Sequence, residues 1–203
     1  MMIISHRGND NHNYKENTIE AVVFSLNRDY VDGVEVDIMF TKDKEIVLNH
    51  DYIYNNLEVN NTNYNELKLD RLDDLLKRLD TIKLILIEVK SEKKDKEFIT
   101  YLDMILKKYS HLNIALCSFN YRLIKYIHKN YNYKCGLLIG TNKNKFRFRN
   151  NLDFNSVKYA YLNKYKYIDY IWTINDIEIY KNIKLLNKEI NIITDIPYKL
   201  KCL

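Results

Sequence analysis

The 203-residue sequence predicts an α/β fold, a TIM-type (β/α)8 barrel that is irregular in places, on three observations. Short apolar runs of strand length alternate with stretches of helical periodicity along the chain, as in βα units wound into a parallel sheet. Residues 83–89 (KLILIEV) are almost continuously apolar, as expected of a strand covered on both faces. The polar residues His6, Glu35 with Asp37, His50, Glu88 with Lys90, and Ser118 stand at or near the C-terminal ends of different strands, where a closed barrel gathers its chemistry. An open doubly wound sheet would instead concentrate its chemistry at one crevice, usually beside a Gly-rich phosphate loop, and the sequence has no such loop. No linker, low-complexity tract or repeat divides the chain, so residues 1–203 are expected to form one domain.

The elements follow in order. Residues 2–5 read as a short apolar strand ending at His6-Arg7-Gly8. A polar loop over 9–15 leads to Glu16-Asn17-Thr18, where Asn17 with Glu20 has the form of a capping box. Ile19, Val22, Val23 and Leu26 then repeat at helical spacing. Residues 33–40 and 45–49 form two strands joined by a charged turn, and 55–65, polar and Asn-rich, reads as loop. Leu72, Leu75, Leu76 and Leu79 mark an amphipathic helix, and strand 83–89 follows. Phe98, Leu102, Ile105, Leu106 and Tyr109 stripe the next helix, before a strand at 113–118 and a helix at 119–130. A strand at 135–139 closes on Gly140. Beyond lie a weak strand at 153–157, a short helix at 158–164, a strand at 167–174, a helix through Ile179, Ile183 and Leu186, and a last strand at 191–194, stopped by Asp195 and Pro197. Nine candidate strands compete for eight places, so the strand before His50 or the weak one near 153 departs from the regular barrel.

A net charge of +5 and a pI near 8.8 permit anionic partners without demanding them, because most basic residues are scattered among acids. The exception is 143–149 (KNKFRFR), which reads as a solvated loop in preference to a phosphate-binding one; no nucleic-acid partner is expected. Cys117, Cys135 and Cys202 are odd in number and not at metal-ligand spacing, as for buried thiols in a reducing compartment. Nothing resembles a signal peptide or a membrane span, and a cytoplasmic protein is expected. Oligomeric state is not encoded in any legible feature.

The chemistry centres on residues 33–51 (GVEVDIMFTKDKEIVLNHD). Residues two apart on a strand project to one face, so Glu35 and Asp37 point together while Val34, Val36 and Ile38 point away. Two adjacent carboxylates repel unless a cation lies between them or one takes a proton, so this face looks like half of a hard-metal site. The following strand delivers His50 and Asp51 at its end. Taken singly, each motif has an ordinary structural reading, such as a Glu88–Lys90 ion pair. Together they place two histidines, three carboxylates, an arginine and a lysine on successive strand ends, an inventory suited to metal-assisted phosphodiester chemistry.

The motifs HRG at 6–8, ENT at 16–18, VEVDIMFTKDKEIVLNHD at 34–51 and LIEVK at 86–90 resemble those of the glycerophosphodiester phosphodiesterase family. CSFN at 117–120, WTIND at 172–176 and ITDIP at 193–197 extend the resemblance, in family order, over nearly the whole chain. It implies a TIM-type barrel that cleaves glycerophosphodiesters to sn-glycerol 3-phosphate and an alcohol, with one divalent cation, Mg²⁺ or Ca²⁺. By the same resemblance His6 and His50 are the acid–base pair, Glu35, Asp37 and Glu88 the metal ligands, and Arg7 and Lys90 the phosphate contacts. Asn17 would brace the site, Trp172 flank it and Phe119 line it. The segment between Asp51 and Glu88 is shorter than the family usually carries, and Lys15 and Lys44 replace its usual Pro and Gly. The shortening leaves open a phospholipase D-type enzyme acting on lysophospholipids or sphingolipids. A non-catalytic phosphoester-binding barrel is the remaining alternative.

Overall fold

A computed structural model describes residues 1–10, 14–91, 95–141, 151–186 and 189–201. The basic segment 143–149 and Cys202 lie outside the described residues. Strand β1 (Ile3–Ser5) runs into a single 3-10 turn (His6–Gly8), followed by helix α1 (Ile19–Leu26) and strand β2 (Gly33–Phe40). A short hairpin returns as β3 (Ile46–Leu48). Residues 55–65, expected as loop, carry structure of their own. The two-residue strands β4 (Ile53–Tyr54) and β5 (Leu57–Glu58) form a small antiparallel ribbon, followed by a 3-10 turn and α2 (Tyr64–Leu67). Val59 and Leu67 pack there against Met39 and Val47, a small core that the surrounding asparagines conceal in the sequence.

Helix α3 (Leu72–Lys77) precedes β6 (Leu84–Val89), and α4 (Lys96–Lys108) precedes β7 (Ile114–Ser118). Helix α5 (Tyr121–Asn130) leads to β8 (Lys134–Ile139) and β9 (Phe154–Lys158). A 3-10 helix (Tyr159–Lys164) stands where a short helix is expected, and β10 (Tyr170–Trp172) is shorter than 167–174. Helix α6 (Ile177–Leu185), β11 (Asn191–Thr194) and α7 (Pro197–Lys201) complete the order. Pro197 starts a helix after stopping the strand: at the first helical position its missing N–H costs nothing.

Eight parallel strands, β1-β2-β6-β7-β8-β9-β10-β11, close on themselves because β1 pairs with both β11 and β2. The irregular ninth strand is β3, which runs antiparallel to the upper end of β2, with Leu48 opposite Ile38. The polar β9 is a full barrel member. Its Phe154 fills the interior beside Gly136 of β8, where any Cβ would lie 2.0 Å from the Phe154 ring.

Alternation along the strands divides the core. Ile4, Leu84, Leu86, Cys117, Leu138 and Phe154 pack inside the barrel. Val34, Val36, Ile85, Ile87, Val89 and Leu116 face outward against Leu72, Leu75, Phe98, Leu102, Leu123 and Ile127 of the helices. Burial of these side chains at roughly 25 cal/mol per Å² is the main stabilising contribution. Cys117 and Cys135 are buried free thiols. Helix starts are set by local caps: Asp95, Asn120 and Asp176 each accept from main-chain N–H groups of the first turn. For α1 the cap is Thr18, whose hydroxyl accepts from Ala21 N. The expected Asn17 capping box does not form, because the Asn17 side chain is drawn to Asp37.

Candidate active site

Inward-facing positions near the C-terminal ends of the barrel strands change from apolar to charged. On β2, Glu35 and Asp37 follow Gly33 inward, and Asp37 lies beside Glu88 in the parallel β2–β6 register. One oxygen from each of Glu35, Asp37 and Glu88 falls within 4.8 Å of the others, and all three residues are buried. Burial first, then the negative charge of Asp37, pushes the Glu35 carboxyl well above the usual carboxylate range. The same causes, in the same order, raise Glu88 to about 7 despite the nearby Lys90.

The turn after β1 brings His6 and Arg7 to this cluster. Arg7 and Gly8 both adopt left-handed backbone, with φ of 54° and 68°. A Cβ on Gly8 would stand 2.8 Å from the backbone nitrogen of Val22, so glycine is required for conformation and for space alike. The turn aims the Arg7 N–H at Glu35 Oε2 (3.1 Å) and sets His6 Nε2 3.9 Å from that same oxygen. The Arg7 guanidinium bridges Glu16 and Asp37. Asn17 grips Asp37 twice, donating from Nδ2 to Oδ2 at 2.8 Å and accepting the Asp37 N–H at 3.0 Å.

Each histidine has an aspartate. His6 Nδ1 lies 2.7 Å from Asp195 Oδ1, at the end of β11. Burial alone would raise Asp195, but its hydrogen bond with His6, the charge of His6 and a bond from Asn175 hold it below its ordinary value. An ionised carboxylate only accepts, so in the neutral ring the Asp195 contact places the proton on Nδ1 and leaves Nε2 as an acceptor. His50 Nδ1 is likewise 2.7 Å from Asp51 Oδ1, and this pair is the more exposed of the two. The Asn49 N–H, bonded to the Asp37 carbonyl, fixes the His50 turn against β2.

A pocket opens over these groups. Its polar lining is His6, Arg7, Glu35, Asp37, His50 and Glu88; its apolar lining is Phe119, Leu138, Trp172 and Ile193. Phe119 and Trp172 meet edge to face at 5.7 Å, above Gly140. Six of the seven residues singled out in the sequence thus share one pocket. The seventh, Lys90, turns its ammonium onto Glu88 Oε1 (2.9 Å) and Asp37 Oδ1 (3.2 Å) and is absent from the lining. Ser118 belongs to the scaffold: its hydroxyl donates to the Val89 carbonyl and accepts from the Asn120 N–H. Asp195 and Asn175 escaped the sequence reading, although both lie in the motifs quoted at 172–176 and 193–197.

The sequence profile of the glycerophosphoryl diester phosphodiesterase family matches residues 6–189. The chain belongs to that family. It is accordingly an enzyme, a hydrolase of phosphoric diesters. No curated protein shows significant similarity to it. A glycerophosphodiester phosphodiesterase from Thermotoga maritima is 25% identical, with a TM-score of 0.78 over 100% of this chain and 98% of that one. An Oleispira antarctica phosphodiesterase solved with the product sn-glycerol-3-phosphate has a TM-score of 0.86 at 17% identity, covering 100% and 96% of the two chains. A glycerophosphodiester phosphodiesterase from Parabacteroides distasonis has a TM-score of 0.79 at 18% identity over 99% and 95%. Among the described residues, no helix is long and apolar enough to cross a membrane.

Proposed function

We propose that residues 1–203 act as one unit that hydrolyses glycerophosphodiesters to sn-glycerol 3-phosphate and an alcohol, with one divalent cation, Mg²⁺ or Ca²⁺. The observation that carries this reading is the buried Glu35–Asp37–Glu88 cluster lying in one pocket with two aspartate-paired histidines. The donor set fits a hard cation. It is made of carboxylate oxygens, and the like charges it confines are stable together only with a proton or a cation among them. Bound to Glu35, Asp37 and Glu88, the cation would supply charge neutralisation at the phosphoryl oxygens.

The chain's own groups have separable tasks. His6, with its proton held on Nδ1 by Asp195, presents an unprotonated Nε2 that takes the proton of the nucleophile, water or the glycerol 2-hydroxyl. His50, more exposed at the mouth, gives a proton to the departing alcohol oxygen. Arg7 lines the pocket while its guanidinium steadies Asp37, which suits it to meet a phosphate oxygen. Phe119, Leu138, Trp172 and Ile193 keep bulk water from the apolar part of the cleft.

One observation favours a second substrate class. Phe119 is 49% exposed at the mouth, beside Trp172, and offers a footing for the acyl chain of a lysophospholipid. The deciding assay compares turnover of glycerophosphocholine, glycerophosphoinositol and glycerophosphoglycerol with that of lysophosphatidylcholine. Faster turnover of the water-soluble diesters supports the main reading. Turnover of the lysolipid alone replaces it with the phospholipase D-type reading.

A further inference from the structure

Asp37 is the crowded member of the acidic cluster. Its Oδ2 accepts from Asn17 and lies 3.3 Å from Arg7 Nε, while its Oδ1 lies 3.2 Å from the Lys90 ammonium. Lys90 also takes Glu88 Oε1, and its side chain is only 10% exposed. A cation bound by all three carboxylates therefore reaches Asp37 only at an oxygen that already has a partner. Asn17 is fixed by a second bond to the Asp37 main chain, and Arg7 is tied to Glu16. Lys90 is the one of the three held solely by carboxylates of the cluster, among the described residues. It is also a point charge on a flexible stem with rotating donors, the kind of group that changes partner at low cost.

We propose that Lys90 is the resident counter-ion of the site and competes with the divalent cation for Asp37 and Glu88. In the cation-free protein its ammonium neutralises the acidic pair. As the cation loads, the ammonium leaves these oxygens and turns its charge to the phosphate. Cation loading and phosphate recognition are thereby coupled through one side chain. This rests on the reading that Glu35, Asp37 and Glu88 hold a cation. Two positive centres sharing a partly buried site repel strongly, so Lys90 lowers the cation affinity of the substrate-free enzyme.

The test is calorimetric titration of Ca²⁺, then Mg²⁺, into wild-type, Lys90→Gln and Lys90→Arg proteins without substrate. Glutamine keeps a hydrogen-bond donor and removes the charge; arginine keeps the charge. The expected result is a dissociation constant at least about tenfold lower in Lys90→Gln, with Lys90→Arg close to wild type. The wild-type protein gives a second readout that needs no variant to fold. Acetylation of Lys90 by an amine reagent, followed by mass spectrometry, is expected to accelerate several-fold at saturating Ca²⁺. Equal or weaker cation binding by Lys90→Gln, or unchanged or slower acetylation with Ca²⁺, overturns the competition. Wild-type protein that binds neither ion removes the metal reading itself, a separate outcome seen in the first titration.

Discussion

His6 Nδ1 and Asp195 Oδ1 lie 2.7 Å apart, joining β1 to the end of β11 across 189 positions of sequence. Asn175 fixes the aspartate from the other side, donating to Asp195 Oδ2 and accepting the Asp195 N–H. This contact gives the neutral His6 ring one defined tautomer, the one that the proposed role of His6 as base requires. Asp195→Asn can present its amide N–H to Nδ1 and so favour the wrong tautomer. Its kcat is expected to fall on the order of a hundredfold or more, with a much smaller change in KM, in a steady-state assay on glycerophosphocholine.

The cation-free protein should be most stable in mild acid. Burial first, and the charge of Asp37 second, raise Glu35 and Glu88 above the ordinary value of 4.5, Glu88 to about 7. A carboxyl with a raised folded value binds its proton more tightly in the folded chain than in the unfolded one. The contribution of Glu88 is complete below about 4.5 and is lost as pH rises through about 7, and that of Glu35 is lost in the same direction. Melting temperature measured with a chelator should fall across that window, less steeply in Glu88→Gln. Saturating Ca²⁺ should cancel the fall, because the cation replaces the proton.

Gly8→Ala is a structural lesion at the site. The new Cβ meets the backbone of Ala21 and Val22 within 3.0 Å, at a φ of +68°. Neither backbone can yield cheaply, so denaturant unfolding is expected to show a loss of about 2 kcal/mol or more. Displacement of Arg7 from Glu35 should lower activity in the fraction that folds.

Gly140→Ala should alter selectivity and spare stability. Its Cβ would stand 2.9 Å from the edge of the half-exposed Phe119 ring, a side chain at the mouth rather than backbone. The relative kcat/KM of choline and inositol diesters is expected to change by several-fold, with an unchanged melting temperature.

Local patterns in the sequence revealed the features that local geometry sets. The Glu35–Asp37 pair is legible because a strand has a period of two, His6 and His50 because each stands just past an apolar run, and Glu88 because it is a carboxylate flanked by apolar residues within one. The parts that depend on distant partners were not. Asp195 reads as a strand stop, and only the fold shows that it faces His6. Asn17 followed by Glu20 is locally a capping box, yet the Asp37 carboxylate competes for the amide and wins, leaving Thr18 as the cap. The strand at 153–157 reads as weak because its apolar content is small. Its place in the barrel comes from Phe154 filling the space that Gly136 leaves on the neighbouring strand. Pro197 marks both a strand end and a helix start, and the residue alone does not tell them apart.

The measurement that bears most directly on the acidic cluster is glycerol 3-phosphate release from glycerophosphocholine as a function of added Mg²⁺ or Ca²⁺, in wild-type and Glu35→Gln proteins stripped of metal. Wild-type turnover is expected to be absent with chelator and to saturate with one of the ions. Glu35→Gln should show little turnover, or require far more cation. Full turnover with chelator present, or a Glu35→Gln protein with the wild-type cation dependence, would contradict the assignment of Glu35, Asp37 and Glu88 as the cation site.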